Sequence, residues 1–481
     1  MQPTLVVRIL GILLLLFSMA LLPPLVVSLL YQDGEAADFA TTIVAVIAAG
    51  LALWFPVRRR RHRVRNRDGF IIVALLWVFT GLLSALPLLI GLELAPADAV
   101  FESVSGFTTT GATVLTGLDT MPPSLLFYRQ ELQWLGGIGV VVSGIALLPM
   151  LGVGGMQLFK AETPGPMKDE KLTPRIAHTA QTLWRIYLIM TVLCALLYWL
   201  AGMTAFDAIS HSLTTVSTGG FSTHDASIGH FDSPVIEAIA IAFMLLGAIS
   251  FNVHFIAWRQ RRPGTYWHNV EVRVFLLTLL GAALLIGAVL LATGEVSGSL
   301  EAARYAAFEV VSVMTSTGYG IDDFSQWPLS LPVLLIFISF IGGCAGSTAG
   351  GMKVVRFVVM GRGALLEVDR LVHPKLVRSV KLGNRVVPPG IVDAVWGFFS
   401  IYVATFALLM LALMATGLDQ VTAFGAIATS MNNLGPGLGE VATQFGTMDD
   451  SVKWISSFAM LLGRLEIFTL LVLFSPAFWR R

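Results

Sequence analysis

Apolar runs dominate the chain, and ten of them reach the roughly 20 residues that an α-helix needs to cross a hydrocarbon core. They lie near 9 to 30, 39 to 57, 69 to 92, 124 to 150, 179 to 201, 234 to 257, 270 to 293, 329 to 360, 388 to 416 and 451 to 478. The first far exceeds the roughly 7 to 15 residues of a signal h-region, and no A-x-A site follows it, so it reads as a retained helix bent at Pro23-Pro24. Four shorter apolar segments, beginning near Ala95, Thr204, Glu301 and Gln420, are too short to cross. Each precedes a polar, glycine-containing stretch and then another spanning run. The pattern predicts an all-α integral membrane protein. A two-helix segment over 1–57 precedes four helix, half-helix, loop, helix repeats over 69–150, 178–258, 270–360 and 388–479, arranged around a central pore.

The stretches after the half-helices read Thr109-Thr110-Gly111-Ala112, Ser217-Thr218-Gly219-Gly220, Ser316-Thr317-Gly318-Tyr319 and Asn433-Leu434-Gly435-Pro436. Superposed on Gly111, Gly219, Gly318 and Gly435, the first and third repeats also bring Phe101-Glu102 onto Phe308-Glu309 and Ser105 onto Ser312. Irregular backbone at membrane depth is tolerated only where it is buried in protein or lines water. A half-helix that stops midway aims its partial negative C-terminus at the membrane centre, which favours a cation. Glycine lets the chain leave that end through φ values closed to other residues, so carbonyl oxygens from four loops can replace the water shell of a monovalent cation. These sixteen residues are therefore the candidate ion-binding set. A single such glycine would signify only close helix contact, as Gly136-Gly137 and Gly139 do; four in register carry the argument.

Composition agrees with the pattern. The 481 residues are 56% hydrophobic and 13% charged, against about 25% charged in soluble domains, and mean hydropathy is +0.78. That excludes an ordinary water-soluble enzyme. The net charge of +1 offers no global field for nucleic acid. Of the 31 Lys and Arg, 25 fall in 58 to 67, 160 to 175, 259 to 273, 353 to 385 and the C-terminal pair, which places those segments and both termini in the cytoplasm. The Arg58 to Arg67 run reads as a topology anchor and also fits a lipid or partner contact. Cys194 and Cys344 lie in apolar runs and form no metal-binding pair.

Two further features carry chemistry. Gly342-Gly343-Cys344-Ala345-Gly346-Ser347-Thr348-Ala349-Gly350-Gly351 interrupts the eighth run with five glycines in ten residues, each costing a helix roughly 1 kcal/mol relative to Ala. The stretch predicts an unwound loop beneath the four polar stretches, with Lys353 and Arg356 as tethers; a flexible, closely packed helix is the alternative. Arg464 lies near the centre of the last run, where an Arg costs at least about 2.5 kcal/mol. It therefore faces water, protein or a partner, either as a positive barrier in the pore or through a buried ion pair or the loop's carbonyls. Glu102 and Glu309 are expected to brace the loops through backbone amides, and His211 and Arg185 to be structural.

The repeated unit, the Ser/Thr-Thr-Gly loops and the divergent Asn-Leu-Gly-Pro loop resemble the Trk/Ktr/HKT superfamily of cation transporters, and the extra N-terminal pair of spans resembles its TrkH branch. The resemblance implies potassium uptake across a bacterial inner membrane by a homodimer with one pore per protomer. It also implies a cytoplasmic TrkA-type nucleotide-binding ring as partner, and potassium as the bound and transported ion, with no cofactor in this chain. It assigns a gating role to the 342–351 loop and Arg464, and a potassium preference to Gly at position 111, where Ser accompanies sodium permeation. An ion-coupled symporter of the same fold stays open, as does a less selective potassium and sodium transporter. A two-repeat transporter would show inverted halves, and a membrane enzyme a cluster of Asp, Glu or His on one face. Neither pattern is present, nor is a nucleophile with a base, a metalloprotease helix or a nucleotide loop.

Overall fold

The computed structural model describes residues 3–59, 66–146, 172–296 and 298–479. Most of the Arg58 to Arg67 run, most of the basic stretch 160 to 175, and Arg480-Arg481 lie outside the described residues. Six helices are long and apolar enough to cross a membrane, or up to eight if each of two sharply bent pairs is one span. The first span breaks at Leu21 and restarts as Leu22–Tyr31, because Pro23 and Pro24 cannot donate to the preceding turn. Its first part, Pro3–Ala20, packs along Ala36–Val57, and Leu22–Tyr31 packs on Pro123–Ala146.

Four short helices, buried toward their C-terminal ends, sit among the long ones: Pro96–Phe107, Ala205–Val216, Ser299–Met314 and Gln420–Asn432. Their starts are set locally. Pro96 supplies the fixed φ of a first turn, the Thr204 hydroxyl accepts from the Asp207 amide, and Asp419 accepts from the Thr422 amide at 2.6 Å.

Three more of the ten apolar runs are broken. Residues 329 to 360 divide into Leu331–Ile341, a non-helical stretch and Val354–Val372, the break that the glycine-rich segment predicts. Residues 234 to 257 divide into Pro234–Ala248 and Phe251–Gln260, turned by 96°. Residues 451 to 478 divide into Asp450–Arg464 and Phe468–Phe474, turned by 112°. Hydropathy could not show the last two, because both sides of each bend are apolar; the backbone groups freed at the first are satisfied by the 342–351 loop, and those at the second within their own segment. Arg464 is thus the final residue of a helix and not the centre of one.

Buried apolar side chains form two large groups. One joins the second and third repeats, through Tyr187, Phe251, Phe308 and Leu335. The other joins the N-terminal helices to the first and fourth repeats, through Phe39, Trp77, Phe101 and Phe445. Thr108, Thr110, Ser217, Thr218, Thr315, Thr317 and Asn432 are each fully buried yet polar. So many buried hydroxyls and amides demand partners, and they find them in one another and in the loops at the helix ends.

Candidate functional site: four loops in a closed ring

All four short helices end in the same backbone pattern. Thr109, Thr218, Ser316 and Asn433 have φ of 54, 52, 54 and 52°, and two residues later Gly111, Gly220, Gly318 and Gly435 have φ of 81, 82, 78 and 102°. The amide of the intervening residue reaches back to the helix in every case: Thr110 to Ser105, Gly219 to Thr214, Thr317 to Ser312 and Leu434 to Thr429, at 2.8 to 3.0 Å. The second loop is therefore shifted by one residue from the register that its sequence suggests. Its equivalent of Gly111 is Gly220, not Gly219, and Ser217 corresponds to Thr108, one place before the set. Phe221 takes the place of Ala112, Tyr319 and Pro436. Two consecutive glycines made either alignment equally good by composition.

The corrected register makes His211 the counterpart of Glu102 and Glu309. Glu102 accepts from the Val114 amide at 2.9 Å, Glu309 from the Ile321 amide at 2.9 Å, and His211 Nε2 pairs with Ser222 Oγ at 2.9 Å. Arg129 donates to Glu102 at 2.8 Å with both side chains buried. Each of the first three loops is thus braced from the helix that precedes it.

Neighbouring loops meet around a circle. A methyl group on Gly111 would lie 2.2 Å from the Gly219 oxygen, on Gly220 1.9 Å from the Thr317 oxygen, on Gly318 2.0 Å from the Leu434 oxygen, and on Gly435 3.0 Å from the Thr110 oxygen. The order runs first, second, third, fourth and back to first, so the ring closes. Asn433 Nδ2 seals the last junction by donating to Thr110 Oγ1 at 2.9 Å. No hydrogen bond among the described residues claims the carbonyl oxygens of Thr109, Thr218, Ser316 and Asn433, or those of Gly111, Gly220, Gly318 and Gly435. Eight carbonyls in that condition, two from each loop, on residues that are buried or, at Gly111, Gly220 and Gly318, half-buried, are an oxygen-only donor set of the kind that suits a dehydrated monovalent cation.

Gln133 was not singled out from the sequence. Its amide donates to the Gly219 oxygen at 2.6 Å and accepts from the Phe221 amide at 3.0 Å. A signal existed: Arg129, Gln133 and Gly136-Gly137 recur at helical spacing on one face of Pro123–Ala146. Gly136 itself lies against the Phe107 carbonyl at the end of the first short helix.

The Gly342 to Gly351 segment lies against these loops, non-helical throughout. The Thr348 amide and hydroxyl donate to the Gly247 carbonyl at 3.2 and 3.0 Å, and Cys344 donates to Ala248 at 2.9 Å. The carbonyls freed by the 96° bend are thereby satisfied. The Gly350 amide donates to Ser316 Oγ at 2.5 Å, and the Gly351 amide to the Asn432 carbonyl at 3.1 Å. Gly343, Gly346 and Ala349 complete the curve, Ser347 Oγ donates to the Cys344 carbonyl at 2.6 Å, and Glu271 accepts from the Ala345 and Val355 amides at 2.7 and 3.2 Å. Lys353 donates to the Ala349 carbonyl. Arg464 donates to the Thr348 carbonyl at 2.9 Å, while its Nε and second amino group have no partner among the described residues. Arg356, not Arg464, pairs with Glu466, at 2.5 Å. Arg185 is exposed, away from this set.

A family model described as TrkH, cation transport protein, matches residues 35–481. The Trk system potassium uptake protein TrkH of Halomonas elongata is 51% identical over 100% of both chains. The protein of the same name from Escherichia coli K12 is 50% identical over 99% of both. The crystal structure of the potassium transporter TrkH from Vibrio parahaemolyticus superposes with a TM-score of 0.93 at 48% identity, covering 100% of each chain.

Proposed function

The chain belongs to the TrkH family of cation transport proteins, a family of transporters and not of enzymes, and from that premise we propose that it takes up potassium across a bacterial inner membrane through the ring of four loops. The observation that carries the reading is the closed ring with eight unclaimed carbonyl oxygens. On this reading potassium enters from the face on which the short helices begin and sheds water into the ring. It then meets the 342–351 loop, where the free guanidinium edge of Arg464 opposes a second positive charge until the loop moves. The repeat boundaries at 69–150, 178–258, 270–360 and 388–479, cytoplasmic termini, a homodimer and a TrkA-type nucleotide-binding partner on the basic loops belong to the same proposal. So does Gly at position 111 as a determinant of potassium over sodium.

Rubidium uptake into proteoliposomes tests it. Uptake should follow an inside-negative potential and be competed by external potassium, and Gly220→Ala should lower it by about tenfold or more at equal incorporation. Undiminished uptake after that substitution would remove the ring from the ion path.

A further inference from the structure

Outside the ring, the segments that leave the first and second loops are tied together by titratable side chains that the conduction reading does not use. Asp225 accepts from the Gly117 and Leu118 amides at 3.0 and 3.2 Å. Asp119, on the short turn Leu118–Thr120, places Oδ1 2.5 Å from His224 Nδ1 and 4.0 Å from His230 Nδ1. The two imidazoles lie face to face, centroids 3.5 Å apart and planes 2° from parallel. Asp119, His224 and His230 thus present one carboxylate oxygen and two ring nitrogens within 4.8 Å of one another. His224 Nε2, on the other edge of its ring, lies 3.4 Å from Asp207 Oδ1, a carboxylate positioned to orient that ring.

We propose that Asp119, His224 and His230 form a divalent transition-metal site, of the zinc type, at the outer mouth, and that its occupation slows cation entry. The donor chemistry selects the ion. Two imidazoles and a carboxylate suit zinc, nickel or copper, whereas potassium, magnesium and calcium favour oxygen ligands. A tetrahedral ion with bonds of about 2.0 to 2.1 Å holds its donors roughly 3.3 Å apart. The present separations lie on both sides of that value, and the stacked rings aim their lone pairs in parallel, so binding requires the exposed His230 ring to turn out of the stack. Asp119 and His230 are 46% and 44% exposed, which leaves a route from bulk water and an open fourth position for a water ligand. A bound ion adds two positive charges beside the mouth and locks the segment after the first loop to the segment after the second. Either effect opposes entry of a monovalent cation.

The effect on uptake rests on the proposed conduction path, but binding does not, so the two are read separately. Zinc chloride titrated calorimetrically into the full chain in nanodiscs should bind at one site per chain, and His230→Ala and Asp119→Asn should each weaken it by roughly tenfold or more. Cobalt substituted at the site should show tetrahedral visible bands that both variants lose. In proteoliposomes, external zinc should cut rubidium uptake several-fold, reversibly with EDTA. His230→Ala, with basal uptake equal to that of the unsubstituted chain, should be insensitive. Identical isotherms for the unsubstituted chain and both variants would overturn the site. Saturated binding with undiminished uptake would overturn its control of entry. Absence of uptake in metal-free liposomes, with binding intact, would refute the conduction path and leave the site standing.

Discussion

Gly219 and Gly220 look interchangeable in sequence, yet only Gly220 carries a positive φ and a backbone oxygen at its back. A side chain at Gly220 incurs left-handed strain of about 1–2 kcal/mol and must also displace the Thr317 carbonyl. One at Gly219 incurs no left-handed strain and meets the Gln133 side chain instead of a neighbouring loop's backbone. Gly220→Ala should therefore lower rubidium uptake by about tenfold or more, and Gly219→Ala distinctly less; equal losses would contradict the shifted register. Arg464 supplies a second test at this scale. With one donor on the Thr348 carbonyl and two groups unpartnered, its charge is not neutralised locally. Arg464→Ala should raise uptake several-fold at matched expression, and unchanged uptake would remove the electrostatic barrier. The sequence made Arg464 and the four glycine loops conspicuous because each violates what a membrane helix tolerates. It concealed Glu271 and the pairing of Arg356 with Glu466, whose partners lie dozens of residues away and leave no local periodicity.

The short helices work as braced elements. The buried Arg129–Glu102 pair fixes the start of the segment that follows the first loop, and removing one partner strands a buried charge. Arg129→Met should destabilise the protein by about 3–5 kcal/mol, seen as a lower melting temperature in detergent, whereas a drop no larger than that of an exposed control such as Arg185→Met would show the pair to be dispensable. At the N-terminal segment, Asp33 accepts from Ser28 and from the Ser124 amide, joining the first span to Pro123–Ala146. Burial opposes ionisation of that carboxyl, but the hydrogen bonds from Ser28 and Ser124 outweigh it and hold its pKa below the ordinary 3.8. Such a depressed value stabilises the fold above the ordinary pKa and ceases to do so as pH falls through the lowered one. Asp33→Asn should accordingly melt earlier at neutral pH and converge with the unsubstituted chain in acid; a constant difference would contradict this. Helices and half-helices were legible from run length alone, and the glycine-rich break from composition. The bends at 249–250 and 465–467 were not: the first is satisfied by the distant 342–351 loop, and the second lies in a largely apolar run with no Gly or Pro at the turn itself.

For the whole molecule, two apolar groups hold the repeats in pairs, second with third and first with fourth, while the polar ring spans both. On the proposed reading, the membrane potential alone drives uptake, supplying about 2.3 kcal/mol per charge per 100 mV. Uptake should persist with sodium and proton gradients collapsed; strict dependence on either would favour coupled transport. The central claim, that four loops share one cation path, is open to direct measurement by anomalous diffraction from crystals soaked in thallium as a potassium substitute. Peaks should fall on a single axis, encircled by the carbonyl oxygens of Thr109, Thr218, Ser316 and Asn433 and of Gly111, Gly220, Gly318 and Gly435. Thallium absent from that axis, or bound beside one loop alone, would contradict it.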